Sequence, residues 1–120
     1  MAAKDDRGRA GEERAATYLR EAGWQLIDRN WRCSQGEIDI IAQDGRTIVI
    51  VEVKTRRSEG FGHPFEAIDS RKRDRLWRLL AAWGAAHPEI SRGRAARLDV
   101  IGITGDNVDT ATLEHLVDLR

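Results

Sequence analysis

Glu37, Asp39, Glu52 and Lys54 are the residues of this chain whose types and spacing can do chemistry. They sit in strongly apolar surroundings, Gly36-Glu37-Ile38-Asp39-Ile40-Ile41 and, beyond an Asp44-Gly45 pair, Ile48-Val49-Ile50-Val51-Glu52-Val53-Lys54. A carboxylate buried without a partner is strongly disfavoured, so charges inside such strands call for a match, and the simplest match for two acids is a metal ion. Two carboxylates suit magnesium or manganese (Mg2+ or Mn2+), hard cations that prefer oxygen ligands and retain waters able to act as nucleophiles. A lysine beside them can hold or polarise the attacking water, or contact a phosphate. Acidic pair and lysine together point to phosphodiester chemistry. The same residues could instead form an ion-pair ladder on one face of a hairpin. Against this, Ile48 to Val51 is apolar on both faces and reads as a strand covered on both sides, where a solvated ladder has little room.

Such chemistry needs a register that gathers the charges. If the hairpin closes symmetrically on Asp44-Gly45, Asp39 opposes Ile50, Glu37 opposes Glu52, and all project from the same face as Lys54. Asp39 and Glu52 are then diagonal neighbours about 7 to 8 Å apart at the backbone, close enough to share one cation. A loop of odd length or a bulge would break this parity.

The flanking elements follow from periodicity. Arg9 to about Ala22 carries Ala15, Ala16, Leu19 and Ala22 at helical spacing and is followed by Gly23. Trp24 to Trp31 reads as a first strand, Glu37 to Ala42 and Thr47 to Thr55 as the central pair. Gly60 to Pro64 is a loop placed to act as a flap beside Lys54. A second helix is expected from Ser70, its N-cap, to Ala86, with Leu76, Leu79, Leu80 and Trp83 on one face. Strands follow around Leu98 to Ile103 and Leu113 to Leu119. The order α-β-β-β-α-β-β predicts an α/β sandwich around one mixed five-stranded sheet.

At 120 residues the chain fits one domain, residues 1–120, since domains usually run about 100 to 150 residues. Twenty basic residues balance twenty acidic ones, so affinity for nucleic acid must come from local clustering. The lone Cys33 excludes an internal disulfide and a cysteine-rich zinc site. The N-terminus lacks the apolar core of a signal peptide, and no stretch approaches the ~18 apolar residues of a membrane span, so the expected location is cytoplasmic, away from membranes.

Local clustering is present. Arg71, Arg75 and Arg78 recur at i, i+4 and i+7 along the second helix, and Arg56, Arg57, Lys72 and Arg73 lie close in sequence. Clustered cations are a footprint of phosphate-backbone binding, although a solvated helix face has the same look. Trp24, Trp31 and Trp77 read as core, and His63 is a minor candidate for substrate contact from the flap. Asp99 reads as a surface salt bridge at a strand start or as support for the site.

Gly36-Glu37-Ile38-Asp39 followed by Glu52-Val53-Lys54 resembles the PD-(D/E)XK nuclease core. Gly8-Arg9-Ala10-Gly11-Glu12, Asn30-Trp31-Arg32, Val51 to Arg56, Arg71-Lys72 and Leu98-Asp99-Val100 extend the match to the YraN-type family of small uncharacterised bacterial proteins, itself similar to archaeal Holliday-junction resolvases. The resemblance implies a restriction-endonuclease-like three-layer sandwich. It implies Asp39 and Glu52 as metal ligands, the Val53 carbonyl and Glu12 as further ligands, and Lys54 as the catalytic lysine. From position alone, Glu12 reads as a first-turn glutamate complementing the helix dipole. Glu37 is a secondary candidate, either a supporting base or the partner of an arginine. The implied substrate is DNA, branched or structured, and its two-fold symmetry raises a homodimer as the assembly. The alternative is a nucleic-acid-binding or assembly module that keeps the fold without turnover.

Overall fold

The computed structural model describes residues 5–60 and 62–119. Residues 1–4, read above for a signal segment, residue 61 of the glycine loop and residue 120 lie outside the described residues. The elements run α1 (Asp6–Glu21), β1 (Gln25–Cys33), β2 (Gly36–Asp44), β3 (Thr47–Arg56), a 3₁₀ turn (Pro64–Ala67), α2 (Ser70–Ala86), α3 (Pro88–Ser91), β4 (Ala96–Thr104) and β5 (Thr112–Leu116). The strands form one sheet in the order β1-β2-β3-β4-β5. Only β3 and β4 pair in parallel, which requires a crossover, and α2 supplies it. The expected mixed five-stranded sheet flanked by helices is therefore the fold, with two short helical turns that periodicity does not reveal because neither completes a second turn.

Each face of the sheet has its own core. Ala15, Ala16 and Leu19 of α1 pack on Ile40, Val49, Val51, Ile101 and Ile103. Leu76, Leu79, Leu80 and Trp83 of α2 pack on Ile41, Ile50 and Leu98. The double burial of β3 explains its continuous apolar run. Among the described residues no helix is long and apolar enough to cross a membrane.

The helix starts are held by capping aspartates. Asp5 accepts the Gly8 N–H at 2.7 Å, and Asp69 accepts that of Lys72 at 2.8 Å. The α2 cap is thus Asp69, one residue before Ser70: a carboxylate reaches the third amide and also complements the helix dipole.

The central hairpin corrects the expected register. Asp44 pairs with Thr47, so the loop is Gly45-Arg46, with Gly45 at φ +61° in the first loop position, as a II′ turn demands. Ile41, not Asp39, therefore opposes Ile50. The opposing partner moves by two residues, an even slip that preserves the faces.

Candidate active site

The β2–β3 ladder runs from Asp44↔Thr47 to Ile40↔Val51 and ends there. In the gap beyond it the Asp39 carboxylate takes over a ladder bond, its Oδ2 accepting the Val53 N–H at 2.9 Å. In an extended strand the N–H and C=O of one residue point to the same neighbour, so the Val53 carbonyl opens into the same gap. Strand alternation breaks at this point as well. Ile40 and Ala42 pack on the α1 side, whereas Ile38 packs with the α2 core.

Continued one step, the observed register sets Glu52 beside Asp39, and both are largely buried, 7% and 9% exposed. Burial, reinforced by the hydrogen-bonded contact with Asp39, pushes the Glu52 carboxyl up to about 8. Two acids forced together at the end of a sheet, with a backbone carbonyl opening between the same strands, form an all-oxygen donor set suited to a hard divalent cation. Lys54 follows on β3. Burial pulls its ammonium below the usual lysine range, aided by the neighbouring Lys72 and opposed by Glu52 and Asp39.

Glu12 reaches this cleft because α1 lies unusually close to β3. A Cβ on Gly11 would overlap Thr55 Oγ1 and stand 3.1 Å from Thr55 Cβ, so only glycine allows the approach. Glu12 is 2% exposed, lines the cleft wall and lies 3.4 Å from the Arg29 guanidinium. Because α1 begins at Asp6, Glu12 falls in its second turn and is not the first-turn, dipole-complementing glutamate expected from its position. Glu37 also lines the cleft, where it accepts from Arg32 Nε at 2.9 Å, the arginine partnership expected as one of its roles.

The cleft has a volume of about 560 Å³ and is walled by the start of α1, the start of β2, the end of β3 and the first turns of α2. Arg56 and Arg75 lie on its rim. The buried Arg56 Nε has no hydrogen-bond acceptor among the described residues. Next to the cleft, Arg71, Arg75 and Arg78 line a second depression of about 380 Å³, and Lys72 and Arg75 are common to both. Arg57 is exposed and turns toward Asp106, at 4.0 Å.

Lys72, grouped by sequence with the nearby arginines, lines their depression and also puts Nζ 3.2 Å from Glu52 Oε2, a contact the sequence reading did not assign. The signal was present in the sequence, since Lys72 opens the i, i+4, i+7 stripe continued by Leu76 and Leu79, which faces the sheet.

Two other residues lie elsewhere. Asp99 is neither a surface salt bridge nor part of the cleft. Within β4 it is fully buried and accepts from Arg97 Nε at 2.9 Å, from the Asp118 N–H at 3.0 Å and from His115 Nε2 at 2.7 Å. Tyr18 OH joins His115 Nδ1 at 2.9 Å, linking α1 to β5. His63 Nδ1 accepts the Phe65 N–H, which leaves the proton of the neutral ring on Nε2, donated to Glu114 at 2.7 Å. His63, Glu59 and Glu114 thus cluster together with no free imidazole lone pair, and none of the described residues of the loop expected as a flap lines the cleft.

Fold and cleft together define a three-layer α/β sandwich in which a central hairpin brings an acidic pair and a lysine to the gap between two strands of a mixed sheet. The chain belongs to the uncharacterised protein family UPF0102, whose profile matches residues 11–103. It is 51% identical over 116 residues to a UPF0102 protein of Arthrobacter sp. (strain FB24), covering 97% of each chain. It is similarly related to UPF0102 proteins of Paenarthrobacter aurescens, 49% identical over 97% of this chain and 94% of the relative, and Streptomyces griseus, 46% identical over 96% of each.

Proposed function

We propose that this chain is a metal-dependent endonuclease acting on DNA, with branched or structured DNA as the substrate class. The observation that carries this reading is the pairing of Asp39 and Glu52 in the gap where β2 and β3 part, with Lys54 following on the same strand. Asp39, Glu52, the Val53 carbonyl and Glu12 would hold magnesium or manganese. When bound, such a cation supplies an activated water and neutralises charge developing on the phosphate. Lys54, held partly out of water, orients that water or the scissile phosphate by hydrogen bonding. Arg56 and Arg75 on the rim, with Arg71 and Arg78 beyond, offer a path for the phosphate backbone into the cleft.

The test is cleavage of labelled single-stranded, duplex, flapped and four-way-junction DNA with magnesium or manganese, wild type beside Lys54→Ala. Cleavage by wild type that is abolished in the variant supports the assignment and names the substrate. The separate exposed arginine stripe favours one other reading, a nucleic-acid-binding or assembly module without turnover. Binding by both proteins with cleavage by neither would select it. A homodimer is the assembly that suits a two-fold symmetric junction, and a monomeric mass with full activity would exclude it.

A further inference from the structure

The geometry points to Lys72 as the internal occupant of the acidic pair: its ammonium holds Glu52 Oε2 in the metal-free protein, competes with the divalent cation for that carboxylate, and is released toward the substrate's phosphate once the cation binds. This rests on the metal-dependent reading above. Three observations converge on it.

First, Lys72 Nζ lies 3.2 Å from Glu52 Oε2 and lines the same cleft as Asp39 and Lys54. The ammonium therefore holds an oxygen that a bound cation would need. Second, local electrostatics disfavour the placement. Ser70 is followed by Arg71, Lys72 and Arg73, three cations at the positive end of α2, with no acidic residue in that first turn. The N-cap Asp69 complements the dipole itself, and Glu52 gives Lys72 a carboxylate partner from outside the helix. Third, Lys72 is shared between the acidic cleft and the depression lined by Arg71, Arg75 and Arg78. An ammonium leaving Glu52 moves toward the arginines that would carry the phosphate backbone, and its flexible stem spans the step without backbone movement. Cation loading and nucleic-acid binding are then linked through one side chain, each favouring the other.

The experiment is calorimetric titration of manganese into wild type, Lys72→Met and Lys72→Arg, with melting temperatures recorded in the absence and presence of the ion. Removing an ammonium 3.2 Å from Glu52 Oε2 removes its competition for that oxygen, an effect of about tenfold on cation affinity. Lys72→Met should bind manganese about tenfold more tightly than wild type. Its metal-free form should melt lower and show the larger rise on adding the ion, while Lys72→Arg stays close to wild type. Equal or weaker manganese binding by Lys72→Met would overturn the role of Lys72 and leave the metal-dependent reading intact. Absence of manganese binding by wild type would overturn both. Should Lys72→Met fail to fold, the Lys72 side-chain carbon resonance of wild type, assigned by comparison with Lys72→Arg, replaces it. A shift toward the free-lysine position on adding magnesium supports release, and an unmoved resonance overturns it.

Discussion

The Asp39 carboxylate accepts the Val53 amide at 2.9 Å, at the point where the ladder between their strands has ended. One side chain thus has two duties, replacing a missing backbone bond and presenting negative charge to the cleft. The duties are separable by substitution. Asp39→Asn keeps an oxygen that can accept the Val53 N–H, whereas Asp39→Ala leaves that donor unpaired. Urea denaturation is expected to find the asparagine variant about 1 to 3 kcal/mol more stable than the alanine variant. Both should lose manganese binding and any cleavage activity. Equal stabilities would show that the bond to Val53 contributes nothing net.

Gly11 sets how near Glu12 comes to the cleft. A methyl group there overlaps Thr55 Oγ1, so Gly11→Ala is expected to destabilise the fold by about 1 to 3 kcal/mol and to weaken manganese binding by displacing α1. Thr55→Ala removes the overlapping oxygen but keeps a Cβ at 3.1 Å, so the double variant should recover part of the stability. Strict additivity of the two changes in a double-mutant cycle would contradict the predicted overlap.

Asp99 contributes to the acid limb of stability. Burial alone would raise its carboxyl, yet the hydrogen bonds from His115, Arg97 and the Asp118 amide outweigh this and hold it below the usual range. A lowered folded value means that the folded protein binds the proton less readily than the unfolded chain. Its stabilisation is therefore complete above about pH 4, the unfolded value, and disappears as the pH falls through the lowered folded value. Asp99→Asn should be less stable at neutral pH by about 1.5 to 3 kcal/mol, with a flatter decline in acid. Parallel stability curves for wild type and variant would refute this.

Arg71, Arg75 and Arg78 should act on affinity without regard to base sequence. Replacing each by alanine is expected to reduce the slope of log affinity against log salt by about 0.9 for every duplex phosphate that the arginine neutralises. An unchanged slope in the triple variant would remove the stripe from the binding surface.

Much of this was legible because strand patterns are strong where both faces are buried. The run from Ile48 to Val51 and the stripe Leu76, Leu79, Leu80, Trp83 place β3 and α2 almost unaided. The gathering of Asp39, Glu52 and Lys54 survived a wrong turn because the error was even: placing the loop at Gly45-Arg46 moves partners without exchanging faces. Long polar side chains were harder to read. Lys72 was grouped with its charged neighbours although its helical position belongs with Leu76 and Leu79. Asp99 resembled surface charge because its partners, Arg97 apart, come from distant positions, His115 and the amide of Asp118.

The parallel pairing of β3 with β4 has a consequence for the order in which the molecule assembles. The β2–β3 hairpin is local in sequence and can close on the microsecond scale, whereas matching Ile48 with Ala96 must wait for the entire crossover to be ordered. Asp39 and Glu52 both belong to the early hairpin, while Lys72 and Glu12 arrive with the docking of their helices. The nascent hairpin therefore brings its two acids together with Lys54 of the same strand as Glu52 before Lys72 and Glu12 have docked. On that order the acidic gap is built first, and the two helices that wall it are added afterwards.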